Sequence, residues 1–172
     1  MRLMAIDPGN IESAYVIVDE DMRIYEHGKL PNETLRMLIT RRPEITNYSI
    51  EMIASYGMAV GKEVFETCVW IGRFQETALH VNDHALIEYV YRREEKEHIC
   101  HDSKANDSTI RRSLIDRFAK HDLKNGKGTK NAPDWFYGFK ADEWAAFAVA
   151  YTTLIRNPNY AERVRGIESC PF

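Results

Sequence analysis

The sequence predicts an α/β fold in which helices pack on both faces of a mixed sheet. Three β-rich runs separated by short turns open the chain and indicate an antiparallel meander. Two later β-rich runs alternate with segments whose apolar residues recur at helical spacing. A final helical segment is rich in alanine, and such small residues allow a helix to lie close to a sheet.

The composition is that of an ordinary globular protein and limits the classes of protein to which the chain can belong. With 172 residues, the chain is long enough for a single domain over 1–172 with a sizeable core. It has three scattered cysteines and no long apolar run, so we expect no disulfide framework, no membrane partner and a cytoplasmic location. The net charge is −3, so a DNA-binding surface would have to concentrate the basic residues on one face.

The first strand is predicted over residues 3–6 and ends at Asp7, immediately before a Pro-Gly turn. The second and third strands are predicted over residues 14–18 and 23–30. A buried strand would hold the Asp7 carboxylate in a fixed place, while the turn leaves its oxygens open to solvent and substrate. Taken alone, the pattern also fits an acidic residue that caps a turn at the end of a strand.

Helices and strands alternate in the middle of the chain. A short helix is predicted over residues 33–40, a strand over 45–51, a long helix over 62–80 and a fifth strand over 85–91. The fourth strand ends, like the first, in a carboxylate, that of Glu51. A carboxylate that merely faces solvent at a strand end is the alternative for Glu51.

Three further helices are predicted over residues 92–100, 108–120 and 143–156, and a C-terminal tail over 157–172. Asn106 or Asp107 can cap the second of these helices. This succession of elements is that of the ribonuclease-H-like fold, a mixed five-stranded sheet with helices on both faces. In that arrangement Asp7 and Glu51 end adjacent central strands, and Asp142 begins a helix that packs on the sheet.

The sequence resembles the RuvC-like Holliday junction resolvases, particularly those carried by bacteriophages. The resemblance extends from Met1 to about Thr153 and depends on the order and spacing of several short motifs. These motifs are Ile6-Asp7-Pro8-Gly9, Ile50-Glu51, Val64-Phe65-Glu66-Thr67, Trp70-Ile71-Gly72-Arg73-Phe74, Lys104-Ala105-Asn106-Asp107 and Lys140-Ala141-Asp142-Glu143-Trp144-Ala145-Ala146-Phe147-Ala148.

The resemblance implies metal-dependent cleavage of four-way junctions and other branched DNA by a homodimer. In a phage, such an enzyme would act in the cytoplasm of the bacterial host. Of the four metal-binding carboxylates of the family, Asp7 matches the first, Glu51 the second and Asp142 the third. The expected cofactor is a pair of Mg²⁺ ions, with Mn²⁺ as a possible substitute, because these hard cations prefer carboxylate oxygens.

The fourth carboxylate of the family has no direct match, because Ala145 stands at its position. Glu143 directly follows Asp142, and adjacent helical residues point about 100° apart. It therefore reaches the metals only if the first turn is distorted or its longer side chain curls back. Asp107 is a second candidate, with a simple helix cap as its alternative role. A water molecule could also fill the position.

Several residues are candidates for contacting DNA. The family places basic residues near the scissile phosphate in the stretch that contains Lys104. Lys104 could stabilise the charge of the transition state or hold the DNA backbone, with a solvated surface lysine as the alternative. Arg111 follows it on the next helix. Tyr56 would stack on bases at the crossover, with core packing as the alternative. A basic loop over residues 120–132 is expected to bind phosphate and to order on DNA, or else to remain a solvated loop. The loop presents Lys124, Lys127 and Lys130.

Other functions remain open at this stage. A less selective nuclease of the same fold, such as a packaging nuclease or a flap or fork nuclease, would carry the same residues. A non-catalytic junction binder is suggested by Ala145, because the loss of one carboxylate weakens a metal site. An actin-like ATPase would need a second phosphate-binding turn and a longer chain. If the protein dimerises as the family does, the long helix around Val69, Trp70 and Phe74 provides the interface.

Overall fold

The computed structural model describes residues 1–55, 57 and 59–157, and within them five strands form one mixed sheet in the order β3-β2-β1-β4-β5. The elements follow each other as β1 (Leu3–Asp7), β2 (Glu12–Val18), β3 (Ile24–Pro31), α1 (Asn32–Thr40), β4 (Asn47–Met52), α2 (Lys62–Val81), β5 (Leu86–Tyr91), α3 (Arg92–Cys100), α4 (Asp107–Phe118) and α5 (Glu143–Arg156). The predicted fold class and the predicted order of elements are confirmed, with bounds that differ by one or two residues at most element ends.

Strand β1 lies at the centre of the sheet, and its pairing explains how two distant carboxylates meet. It runs antiparallel to β2 and parallel to β4, with Ile6 opposite Ile50. The next residue is Asp7 in β1 and Glu51 in β4, so the two side chains lie side by side at the same end of the parallel strands. Strand β5 continues the parallel part, with Met52 opposite Tyr91.

The two faces of the sheet bury two separate apolar clusters because successive β1 residues point to opposite sides. Leu3 and Ala5 belong to the cluster covered by α4 and α5. Met4 and Ile6 belong to the cluster covered by α1 and α2. All four side chains are fully buried, which agrees with a central strand covered on both faces.

Helix α5 is buried around most of its circumference and positions the third predicted carboxylate. Ala146, Ala148 and Ala150 are fully buried, and these small side chains let the helix approach the sheet closely. Asp142 is the residue that precedes α5, and its carbonyl oxygen accepts hydrogen bonds from the amides of Ala145 and Ala146.

None of the helices that the structure describes is long and apolar enough to cross a membrane.

The basic loop is held by hydrogen bonds to two aspartates. Asp134 is buried and accepts hydrogen bonds from the backbone amides of residues 120, 121, 122 and 135. Asp122 accepts hydrogen bonds from the amides of Asn125, Lys127 and Gly128. Many backbone amides of the loop therefore have acceptors within the chain, and the expectation that the loop binds phosphate and orders on DNA stays a prediction.

Candidate active site

Asp7, Glu51 and Asp142 line one cleft at the edge of the sheet where β1 and β4 end. Each is positioned by a different element: the first two by adjacent parallel strands and the third by the start of α5. The side chains of Arg92, Asp107 and Arg111 line the same cleft. The three carboxylates matched to the family motifs are thus brought together, although 135 positions separate the first from the last.

The electrostatics of the cleft are dominated by crowded negative charge around Asp7. Burial, the charge of Glu51 with a hydrogen bond to it, and the charge of Asp142 raise the pKa of Asp7 to about 8. The Arg92 guanidinium opposes this shift. Such a cluster is stabilised either by protons or by a bound cation.

The chemistry of these side chains suits a hard divalent cation, because all three are carboxylates and none is a sulfur or nitrogen ligand. In the conformation described here, residues 1–55, 57 and 59–157 contain no group of three His, Cys, Asp or Glu side chains spaced to hold a metal ion. Asp142 Oδ2 lies 2.6 Å from Lys29 Nζ, so this carboxylate would have to exchange an ion pair in order to bind a metal.

Glu143 does not line the cleft. Its carboxylate is almost completely buried, lies 2.9 Å from His27 Nδ1 and accepts a hydrogen bond from the backbone amide of Lys140. The helix therefore turns Glu143 toward β3, as expected for a residue directly after Asp142. Ala145, which the resemblance matches to the fourth carboxylate, does line the cleft.

Asp107 lies at the cleft but is paired with an arginine. Its side chain is 88% exposed and forms an ion pair with Arg92. The cap of α4 is Asn106, whose side-chain oxygen accepts a hydrogen bond from the Thr109 amide at 3.0 Å. The alternative that Asp107 is a simple helix cap is therefore wrong.

Arg92 and Glu95 were not among the residues predicted from the sequence. Arg92 is the first residue of α3, directly after β5, and its guanidinium contacts both Glu95 and Asp107. Glu95 is fully buried, and its Oε1 atom has no hydrogen-bond partner within the described residues. The sequence signal that could have indicated Arg92 is its position directly after β5. This strand runs parallel to β4 and ends on the same side of the sheet as Asp7 and Glu51.

The Arg92–Glu95 pair is embedded in the negative potential of the cleft. Burial disfavours the charge of Arg92, but Glu95, Asp107 and Glu51 outweigh burial and raise the pKa of Arg92 above its usual range. Burial and the charge of Glu51 raise the pKa of Glu95 well above its usual value, and Arg92 opposes that increase. Arg92 is thus a partly buried cation surrounded by carboxylates.

The predicted DNA-contacting residues lie at different distances from the carboxylates. Arg111 lines the cleft, with its guanidinium carbon 4.6 Å from the centre of the Trp144 ring. Lys104 is exposed on the connection between α3 and α4 and does not line the cleft. In the basic loop, Lys124 and Lys130 are exposed and Lys127 is half-buried. Tyr56 and the tail from residue 158 onward lie outside the described residues.

The outer face of α2 carries exposed apolar side chains. Phe65 and Val69 are largely exposed. Ile11, in the turn between β1 and β2, is also largely exposed. Phe74, predicted to contribute to a dimer interface, is instead fully buried in the core. Its spacing from Trp70 is compatible with either location, and the contact with the sheet decides between them.

The chain matches no protein-family model and no curated protein sequence. It is similar in structure to RuvC of Thermus thermophilus, with a TM-score of 0.62 and 15% identity over 95% of this chain and 96% of that one. It is also similar to T. thermophilus RuvC in complex with Holliday junction substrate, with a TM-score of 0.62 and 12% identity over 91% and 94% of the two chains. The predicted resemblance to RuvC is thereby confirmed at the level of the fold.

Proposed function

We propose that this chain is a metal-dependent endonuclease that cleaves four-way junctions and other branched DNA by phosphodiester hydrolysis. The observation that carries the proposal is the convergence of Asp7, Glu51 and Asp142 on one cleft of a RuvC-like sheet. One of the similar structures is a RuvC bound to Holliday junction substrate, which supports branched DNA as the partner.

Asp7, Glu51 and Asp142 would hold the divalent cations, two Mg²⁺ ions or Mn²⁺ in their place. Bound at these carboxylates, such ions supply charge neutralisation at the phosphate and activation of a water molecule. The chain itself contributes the rigid strand ends that fix Asp7 and Glu51, and the burial that strengthens electrostatic interactions in the cleft. Glu143 is not included, since its carboxylate is engaged by His27 and the Lys140 amide.

The DNA-binding surface in this proposal combines the cleft with the basic loop. Arg111 lies at the cleft, and the basic loop carries Lys124, Lys127 and Lys130, of which Lys124 and Lys130 are exposed. Tyr56 and Lys104 complete the set of proposed DNA contacts. Hydrogen bonds to Asp122 and Asp134 hold the backbone of the loop that carries these lysines.

A homodimer is part of the proposal, because cutting two opposed strands of a junction requires two active sites. The exposed Phe65 and Val69 on α2 support an interface on this helix. The proposal also includes a single nuclease domain and, for a phage-encoded chain, action in the cytoplasm of the bacterial host.

The proposal is tested by incubating the full chain with labelled synthetic substrates in Mg²⁺ or Mn²⁺. The panel contains a four-way junction, a flap, a fork and a linear duplex of matched sequence. A resolvase cleaves the junction much faster than the other substrates. Equal cleavage of flap and fork supports the less selective nuclease, and equal cleavage of every substrate contradicts structure selectivity.

A non-catalytic junction binder is the second candidate function. Ala145 favours it, because this residue lines the cleft where the family has its fourth carboxylate and Glu143 does not replace it. Such a protein binds the four-way junction but produces no nicks in either metal. The same substrate panel, read by binding as well as by cleavage, distinguishes the two functions.

A further inference from the structure

Arg92 bridges two carboxylates that differ completely in their exposure to solvent. One nitrogen of its guanidinium group, Nη1, contacts Glu95, whose side chain is 0% exposed. The other nitrogen, Nη2, contacts Asp107, whose side chain is 88% exposed. The two ends of this planar group therefore have very different environments.

The contact with Glu95 fixes the guanidinium in place. Glu95 lies on the same helix, three residues after Arg92, and is completely shielded from water. A buried carboxyl group that loses its hydrogen-bond donor is strongly destabilised, so this contact is not readily exchanged. Glu95 therefore determines the direction in which Arg92 presents its second nitrogen.

The contact with Asp107 is, by contrast, exchangeable. The pair is open to solvent on the Asp107 side, where water and salt screen the attraction and weaken it. Asp107 begins α4 and is not required as its cap, since Asn106 caps the helix. An anion that enters the cleft can therefore replace Asp107 on the guanidinium without disrupting the fold.

The anion that would enter is a DNA phosphate. Arg92 lines the same cleft as Asp7, Glu51 and Asp142, and its charge acts on both Glu51 and Asp7. A phosphate bound at those carboxylates would therefore lie in the same cleft as the guanidinium group of Arg92. The planar fork of arginine suits this task, because one nitrogen can stay with a carboxylate while another binds a phosphate oxygen.

We propose that Arg92 is a catalytic residue that binds a non-bridging oxygen of the scissile phosphate, that Glu95 positions it, and that Asp107 occupies its second nitrogen until DNA replaces it. This inference rests on the proposed nuclease function and deepens it. It assigns to Arg92 the charge stabilisation that the sequence motifs suggested for Lys104, a residue that does not line the cleft.

The first test is single-turnover cleavage of the synthetic four-way junction in Mg²⁺ by Arg92→Gln. The loss of one donor that stabilises transition-state charge is expected to lower the rate about 100-fold. Arg93→Gln is the matched control, since Arg93 is the next residue and pairs with Glu97 away from the cleft. Its rate should equal that of the wild type.

The second test separates a positioning role of Glu95 from a purely structural one. If Glu95 acts through Arg92, Glu95→Gln slows cleavage in the wild-type background but does not slow the Arg92→Gln variant further. If the rate losses of Glu95→Gln and Arg92→Gln multiply in the variant that carries both changes, the positioning role is contradicted. Thermal unfolding of each variant identifies any loss of rate that comes from unfolding.

The third test uses Asp107, for which the proposal predicts a gain. Asp107→Asn removes the competitor for the guanidinium, so it should tighten junction binding several-fold, measured in an Asp7→Asn background that does not cleave. Asp116→Asn is the control for charge, because Asp116 lies on the same helix and also pairs with an arginine, Arg112. The gain should exceed that of the control and disappear when Arg92 is replaced by Gln.

The same cleavage measurements separate a failure of the role proposed for Arg92 from a failure of the proposed nuclease function. Wild-type cleavage together with a fast Arg92→Gln variant overturns the inference and leaves the nuclease function standing. The inference is also overturned if Arg92→Gln cleaves slowly while Asp107→Asn binds the junction as before and has a lower Tm. Arg92 would then only link α3 to α4. If the wild type cleaves no substrate, both the inference and the proposed function fail.

Discussion

Lys29 Nζ lies 2.6 Å from Asp142 Oδ2, so a cation from the third strand is paired with one of the three carboxylates proposed to bind metal. Lys29 also lies 3.7 Å from Glu12. Both side chains of the Lys29–Asp142 pair are roughly half-exposed. The pair is therefore screened by water and open to competition from a divalent cation.

The first prediction is that Lys29→Gln lowers the Mg²⁺ concentration required for half-maximal cleavage. Asp142 no longer has to give up an ion pair, and a positive charge near the metal-binding carboxylates is removed. A Mg²⁺ titration of the junction cleavage rate measures the effect. Lys62→Gln is the control, because Lys62 pairs with Glu66 on α2. An unchanged Mg²⁺ requirement in Lys29→Gln would show that the pair does not compete with metal.

The second prediction concerns the pH dependence of stability without divalent cations. The pKa of Asp7 is raised to about 8 in the folded chain from an ordinary value of 3.8. Between these two pH values the folded state binds more protons than the unfolded state, so the free energy of unfolding decreases as pH rises. Asp7→Asn abolishes this contribution.

Thermal unfolding in EDTA, measured from pH 4 to 8, tests this prediction. The wild-type Tm should decrease with increasing pH more steeply than that of Asp7→Asn, and at pH 8 the variant should be the more stable protein. Added Mg²⁺ should raise the wild-type Tm at pH 8. Parallel curves for the two proteins would mean that Asp7 is not under electrostatic strain.

The third prediction distinguishes a structural Glu143 from a metal ligand. Glu143→Gln disrupts a buried contact with His27 and a hydrogen bond from the Lys140 amide, so it should reduce the free energy of unfolding by about 1–3 kcal/mol. The Mg²⁺ concentration for half-maximal cleavage should equal that of the wild type. A large increase in that concentration would instead identify Glu143 as a metal ligand.

The fourth prediction is that the basic loop depends on Asp134. Burial by itself would raise the pKa of Asp134, but hydrogen bonds from four backbone amides lower it below its usual range. Asp134→Ala leaves these amides without their acceptor and should cost about 1–3 kcal/mol of stability. Because the folded pKa is lowered, this stability is present above about pH 4 and is lost as pH falls toward the folded value.

Urea unfolding at pH 7, together with junction binding by the same variant, measures this effect. Binding should weaken, since the lysines of the loop lose their fixed positions. Asp83→Ala replaces an exposed aspartate and is the control for stability. A variant with wild-type stability would indicate that water satisfies the loop amides as well as Asp134 does.

The sequence predicted the parts of the site that follow from strand order. Asp7 and Glu51 end apolar runs, and a parallel pairing of those runs brings the two carboxylates together. Asp142 directly precedes a helix rich in small residues, which allow the helix to lie close to the sheet. These relationships depend on local patterns and on a known succession of elements.

The parts that sequence reasoning missed depend on contacts between distant side chains. Glu143 faces His27 because β3 lies beside the start of α5, which helical periodicity alone does not reveal. Arg92 enters the cleft because the buried Glu95 holds it there. The hydrogen bonds that hold the basic loop could not be predicted from its composition. They depend on Asp134, which lies 12 to 14 residues from three of the amides that donate to it.

Nick mapping on a four-way junction tests the central claim most directly. Each of the four strands is labelled in turn and incubated with the wild-type chain or Asp7→Asn in Mg²⁺. The nuclease account predicts paired nicks at symmetric positions on two opposed strands with the wild type and none with Asp7→Asn. Tight junction binding without nicks in either Mg²⁺ or Mn²⁺ would contradict it and identify a non-catalytic junction-binding protein.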